Sequence, residues 1–289
     1  MKVSGFTFIR NAIKYDYPIV EAIRSILPVC DEFIVAVGNS DDGTLELIEA
    51  ISPSKIKIIP TVWDDNLREG GKVLAVETNK AFEAINDADW CFYIQGDEVV
   101  HEKYLPVIKK GMEDNLNNAE VDGLLFKYLH FYGSYDYVGE SYRWYRHEIR
   151  IIRNNKKIYS YRDAQGFRKD DNKILRVKPL DAYIYHYGWV KDPRAMQKKQ
   201  EDFNKLWHDD DWVDKNIIKS EEFDYSNIDV LRKFEGTHPG VMVERIKNKN
   251  WVFNYDISYN NMRFKDRFKL LMEKLNIPIG QYKNYKVVK

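Results

Sequence analysis

Residues 90–98, "WCFYIQGDE", pass from a bulky apolar segment straight into two adjacent carboxylates, Asp97 and Glu98. A short apolar run rich in aromatics reads as a buried strand, and one that ends on paired negative charge delivers that charge to the edge of its sheet. Upstream the same rhythm repeats. The runs "GFTFIR" (5–10), "EFIVAVG" (32–38) and "KIKIIP" (55–60) alternate with helix-period stretches at 18–27, 43–51 and 71–86. In the last of these, Leu74, Thr78, Ala81, Phe82 and Ile85 recur every three to four residues, which is one face of a helix. Parallel strands need a crossover, usually helical, so the alternation predicts an α/β fold: a mostly parallel, Rossmann-like sheet with helices on both faces.

Beyond residue 120 the pattern changes. "GLLFKYLHFYGSYDYVGESYRWYRHEIRIIRN" (123–154) and "DAYIYHYGWV" (181–190) read as strands with exposed tyrosines and arginines, where the sheet becomes mixed. Residues 193–234 are strongly charged and predicted helical. "RFKDRFKLLMEKL" (263–275) predicts an amphipathic helix with Phe264, Phe268, Leu271 and Leu275 on one side. No internal repeat or low-complexity linker divides the chain. The expected organisation is one domain over 1–250, in halves 1–102 and 103–250, followed by a basic helical extension over 251–289.

The 289 residues, 44% of them apolar, support a substantial core. Formal charge is zero, so no global imbalance points to nucleic acid as a partner. From Arg263 onward, however, eight Lys/Arg face only Asp266 and Glu273. Cys30 and Cys91 lie in apolar segments without metal-ligand spacing and are expected to be reduced thiols, as in the cytoplasm. Arg10 and Lys14 interrupt the N-terminal stretch, which is therefore read as neither signal peptide nor membrane span.

In open α/β sheets ligands bind beyond the carboxyl ends of the strands. There the sequence places Arg10 and Asn11, then "GNSDDGT" (38–44), then "TVWDDN" (61–66), then "QGDE" (95–98). Asn39, Asp41 and Asp42 suit a ligand pocket but equally suit a turn and helix cap. Asp97 suits a hard divalent ion that takes few carboxylates plus phosphate oxygens, Mg²⁺ or Mn²⁺, while Asp97 or Glu98 capping the next helix is the plainer alternative. Dinucleotide and P-loop readings fail, since no G-x-G-x-x-G follows the first strand and "GGK" (70–72) is followed by Val73.

The order "F-x-R-N", "SDDGT", and "GGKVLAVETNKAFEAINDADWCFYIQGDE" (70–98), with Gly71, Ala75 and Asn79 spaced as G-x-x-x-A-x-x-x-N, resembles the nucleotide-sugar-binding half of family 2 glycosyltransferases of the GT-A fold. "YHYGWVKDPRAMQKKQ" (185–200) resembles that family's acceptor half. The resemblance implies transfer of a sugar from a nucleoside diphosphate to a hydroxyl on a glycan or lipid-linked acceptor, with inversion and a divalent metal, as in bacterial-type surface polysaccharide assembly. It implies Asp97 as the metal carboxylate, with Gln95 and Gly96 in the place of the rest of a DxD element. Arg10, Asn11, Asn39, Asp41, Asp42 and Asn79 are implied in the donor pocket. A neutral imidazole makes His186 a candidate second ligand, although a histidine among aromatics is more often a core residue.

Inversion needs a carboxylate base. Asp163, in the glycine-containing loop "YRDAQGFRK" (161–169), is preferred, and Glu148 stays open. Arg143, Arg150, Arg153 and Lys191 are candidates to neutralise diphosphate, and the tyrosines of 132–145 to stack on a sugar ring. The basic C-terminal helix is expected to pack on the domain, with peripheral contact at the inner membrane face as the alternative. Two rivals to the transferase are a non-catalytic nucleotide-sugar or glycan-binding module, suggested by Gln95, and a nucleotidyltransferase, whose glycine- and lysine-rich loop is absent.

Overall fold

The computed structural model describes residues 1–51, 54–217, 219–275, 277 and 283–288. The first third is the expected alternation: β1 (Val3–Ile9), α1 (Ile19–Ile26), β2 (Glu32–Gly38), α2 (Thr44–Glu49), β3 (Ile56–Thr61), α3 (Lys72–Glu83) and β4 (Trp90–Tyr93). Leu74, Thr78, Ala81, Phe82 and Ile85 are all buried, so α3 presents the face that its periodicity selects. Then come β5 (Glu98–Val100), α4 (Leu105–Asp114), β6 (Gly123–Tyr132), β7 (Ser134–Gly139), β8 (His147–Arg153), β9 (Ile158–Tyr161), β10 (Gly166–Lys169) and the long β11 (Lys173–Trp189). The chain closes with α5 (Pro193–Asn204), α6 (Asp210–Asn216), β12 (Leu231–Lys233), α7 (Val243–Lys247), α8 (Phe264–Lys274) and β13 (Tyr285–Val287).

The result is a mixed α/β fold on one large sheet, in the order β3-β2-β1-β4-β8-β6-β11-β10-β9. β3, β2, β1 and β4 are parallel, β8 runs against both neighbours, and β6 and β11 are parallel again. β1, β2 and β4 are buried on both faces by α1 and α3, which is why they are predominantly apolar runs, while β3 at the sheet edge is only partly buried.

Three expectations need correction. Among the described residues of 193–234 the last helix ends at Asn216, and further on local bonds such as Ser226 to Asp224 turn the backbone. The tyrosines of the second half are mostly interior: Tyr132, Tyr135, Tyr185 and Tyr187 are buried under Tyr225, Met242, Trp251 and Phe253. Finally, the apolar side of α8 does not pack on the domain; Phe264, Phe268, Leu271 and Leu275 are exposed. Part of the predicted extension, residues 276, 278–282 and 289 and the Lys274 side chain, lies outside the described residues. After it, β13 pairs in parallel with β11 and returns the chain to the main sheet.

Candidate active site

A cavity of about 600 Å³ opens beyond the carboxyl ends of β1, β2, β3 and β4. Arg10, Asn11, Asp41, Gln95, Gly96 and Asp97 line it from the first half of the chain, and Asp163 and His186 from the second. Asn11 takes a left-handed conformation, and its side-chain carbonyl accepts from the Asp41 amide, which sets the loop after β2 against the end of β1. Arg10 donates to Asp65 at 2.7 Å and lies over Trp63.

Four predicted residues stand behind this lining. Asn39 accepts from the Trp63 amide and offers its backbone carbonyl to Arg10, so it positions two residues that do line the cavity. Asp42 accepts from the amides of Lys14 and Thr44, the turn-forming alternative. Burial alone would raise its carboxyl, but those amides and the Thr44 hydroxyl hold it below its usual range. Asn79 bonds the backbone of Ser160 and ties α3 to β9. Glu148 is buried and accepts from Gln165 at 3.0 Å. Burial pushes its carboxyl up to about 8, with Arg150 only partly offsetting that, so it is protonated at neutral pH.

The two charges that end "WCFYIQGDE" part company. Glu98 turns inward and meets Arg150 in a bidentate pair at 2.7 and 2.8 Å, both side chains fully buried, while also accepting from Tyr128 and the Gln95 amide. Arg150 is therefore consumed and does not face the cavity. Arg153 is likewise spent on the carbonyls of Leu116, Asn118 and Val121 around the end of α4. Lys191 is buried against the Asp16 carbonyl, and Arg143 lies over the Trp144 ring. The cations that do line the cavity are Arg10, Lys14, Arg68, Lys199 and Lys205. Of these, sequence reasoning singled out only Arg10.

Asp97 faces the cavity edge. Its carbonyl accepts from the Tyr187 amide at 2.7 Å, pinning it to β11 between His186 and Gly188. Oδ2 is 3.6 Å from the Lys199 ammonium, and Oδ1 is 3.8 Å from Nε2 of His186. Burial would raise this carboxyl, but His186, Lys199 and Lys191 hold it ionised below its usual range.

The orientation of His186 is set by its neighbour. His130, its register partner on β6, has Nε2 2.8 Å from the Tyr145 carbonyl, an atom that only accepts, so Nε2 carries the proton. Burial holds His130 far below the usual imidazole range, so its Nδ1 is a bare acceptor. The His186 Nδ1 lies 3.2 Å from it, and Nε2 of the same ring faces Oδ1 of Asp97; burial lowers this imidazole from its usual range while Asp97 raises it. At 3.8 Å the imidazole and the carboxylate are too far apart for a direct hydrogen bond. A Cβ placed on Gly188 would stand 2.7 Å from Oδ2 of Asp97 and 2.7 Å from the His186 ring, so the glycine keeps this cradle open.

Asp97 and His186 are donor types that a divalent cation takes, with the Lys199 ammonium already standing beside Asp97. The described residues contain no group of three or more His, Cys, Asp or Glu able to cage a metal, but one carboxylate plus one neutral imidazole, completed by substrate phosphates, suits Mn²⁺ or Mg²⁺. His130 was missed in sequence because its role depends on pairing across the sheet. Lys199 was missed because nothing in "AMQKKQ" distinguishes it from its neighbours.

Gln95 also has a definite task. Its amide donates to the Ala164 carbonyl at 3.1 Å, joining the loop after β4 to the turn that carries Asp163. A carboxylate could not make that bond.

No known protein-family profile matches the chain, and no curated protein matches it in sequence. Solved structures do. TarS residues 1–349 of S. aureus, in complex with UDP-GlcNAc, is 17% identical over 76% of this chain and 68% of that one, with a TM-score of 0.42. Glucosyl-3-phosphoglycerate synthase from Mycobacterium tuberculosis, with Mn²⁺, UDP and glucosyl-3-phosphoglycerate, is 21% identical over 46% of this chain and 45% of that one, TM-score 0.30. 4-Diphosphocytidyl-2C-methyl-D-erythritol synthase from Anaerococcus prevotii is 13% identical over 66% of this chain and 89% of that one, TM-score 0.39. The match to a longer TarS chain spans 41% of that chain. These are distant structural resemblances to nucleotide-sugar transferases and to one nucleotidyltransferase.

Proposed function

We propose that the chain is an inverting glycosyltransferase that moves a sugar from a nucleoside-diphosphate donor to a hydroxyl acceptor, with a divalent cation held by Asp97 and His186. The observation that carries this reading is the cradle kept open by Gly188, where the Asp97 carboxylate and the His186 imidazole converge at the mouth of a cavity lined by Arg10, Arg68 and Lys199. A cation bound there supplies charge compensation for the departing diphosphate. Lys199 adds a positive charge beside it, and Arg10 and Arg68 offer donors to the phosphates and ribose. Asn11 and Asp41 hold the loop over which the nucleoside fits.

Asp163 is the base in this reading. It lines the cavity, whereas Glu148 is buried, protonated at neutral pH and bonded to Gln165. Gln95 positions the Asp163 turn, so the missing first acid of the DxD element is an exchange of roles rather than a mark of a non-catalytic module.

The test is a screen of nucleotide-sugars, UDP-GlcNAc and UDP-glucose first, by thermal shift with and without Mn²⁺, followed by product analysis with saccharide acceptors. A ligand that binds only the folded state raises the melting temperature in step with its affinity. Mn²⁺-dependent stabilisation together with turnover supports the transferase. Binding without any turnover or donor hydrolysis hands the protein to the binding-module reading.

A further inference from the structure

Helix α8 is turned the wrong way round for a helix in water. Its body-facing side is Asp266, Lys269, Leu270 and Glu273: Glu273 pairs with Arg146 at 3.6 Å, and the Lys269 carbonyl accepts from the Tyr142 hydroxyl at 3.4 Å. The opposite side carries Phe264 (86% exposed), Phe268 (48%), Leu271 (55%) and Leu275 (60%). An amphipathic helix on a soluble domain buries its apolar stripe, and a row of large exposed apolar side chains marks a surface that something else covers. Flanking that row are the exposed cations Arg263, Lys265 and Arg267.

We propose that α8 is a membrane-surface helix, seated with Phe264, Phe268, Leu271 and Leu275 at the headgroup–acyl boundary of an anionic bilayer and with Arg263, Lys265 and Arg267 among the headgroups. Charge selects this occupant. A second copy of the chain would set cations against cations, whereas an anionic leaflet offers both negative potential and an apolar layer to the two sides of one helix. No helix among the described residues is long and apolar enough to span a bilayer, so the contact is a surface one. Position adds a consequence that rests on the proposed transfer reaction. The loop that holds α8 through Tyr142 and Arg146 also presents Tyr145 to the cavity, so docking brings the acceptor side of the site to the membrane and matches a hydroxyl acceptor carried on a lipid.

Co-sedimentation of the full chain with vesicles tests this, using phosphatidylglycerol-containing vesicles against phosphatidylcholine alone, without donor or acceptor. Binding to the anionic vesicles is expected, released by high salt, and weakened at least about tenfold by Phe268→Ser with Leu271→Ser while the melting temperature holds. Equal sedimentation of wild type and variant, or no anionic binding at low salt, overturns the proposal. So does light scattering that shows a dimer dissociated by the same two substitutions, since a second copy would then cover the face. Because the vesicle assay needs no turnover, failure of the transferase reading shows separately, as absence of product with vesicles or detergent-solubilised acceptors.

Discussion

His130 and His186 stand opposite one another on β6 and β11, with their Nδ1 atoms 3.2 Å apart, and the proton between them belongs to His186. That hydrogen bond directs the other ring nitrogen of His186 at Asp97. Partners that orient a metal-binding histidine matter nearly as much as the ligands themselves. His130→Phe should weaken Mn²⁺ binding about 10- to 100-fold, read by electron paramagnetic resonance titration of free Mn²⁺ in the presence of donor. Unchanged affinity would remove His130 from the site.

Gly188 is the second test of the cradle. Alanine there sets a methyl 2.7 Å from both Asp97 and the His186 ring. Gly188→Ala is expected to abolish the Mn²⁺-dependent part of the donor thermal shift while circular dichroism remains that of the wild type. A retained Mn²⁺ response would show that the cation sits elsewhere.

Asp163→Asn should lower kcat by about 10²- to 10⁴-fold with donor affinity little changed, as expected for a group that acts on the acceptor proton. Should Glu148→Gln produce that loss instead, the base role moves to Glu148.

Glu148 gives a pH signature. Its carboxyl is raised by burial to about 8 in the folded chain, so between roughly pH 4.5 and 8 the folded state holds a proton that the unfolded state has released. Its contribution to stability is present in acid and lost as pH rises through that window, at up to about 1.4 kcal/mol per pH unit. Urea denaturation of Glu148→Gln should show a flatter profile from pH 5 to 8 and a gain over wild type at pH 8; parallel profiles would refute the burial argument.

Arg150 and Glu98 are buried as a pair, and removing one leaves a desolvated charge. Arg150→Met should cost about 3–5 kcal/mol in urea unfolding, because Glu98 loses both guanidinium bonds and keeps only Tyr128 and an amide. A cost under about 1 kcal/mol would mean that water reaches Glu98.

Gln95→Asp, which recreates the DxD spelling, is expected to lower turnover rather than raise it, since aspartate cannot donate to Ala164 and would add charge beside Glu98. Activity above wild type in Mn²⁺ titrations would count against a positioning role.

The parallel half of the sheet was legible in the chain because β1, β2 and β4 are buried on both faces and therefore spelled mostly in apolar residues, with helical spacing between the strands. The strand-end rule placed Arg10, Asn11, Asp41 and Asp97 together, and all four line the same cavity, for local strand direction decides where a strand's last residue emerges. The resemblance singled out Asp97 over Glu98, but the sequence did not show that Glu98 turns inward or that Arg150 and Arg153 are spent on buried partners. Those outcomes depend on which side chain the pleat turns inward and on what a distant strand places opposite.

His130 shows the limit most clearly. Along β6 it is one more ring in an aromatic strand, and only its register against β11 gives it a task. Lys199 is likewise one of two adjacent lysines until α5 docks beside Asp97. For α8 the amino-acid order fixes that one side is apolar and the flanks are basic, by the 3.6-residue turn of a helix. Which side looks outward depends on where Arg146 and Tyr142 hold it, and that is a property of the folded domain.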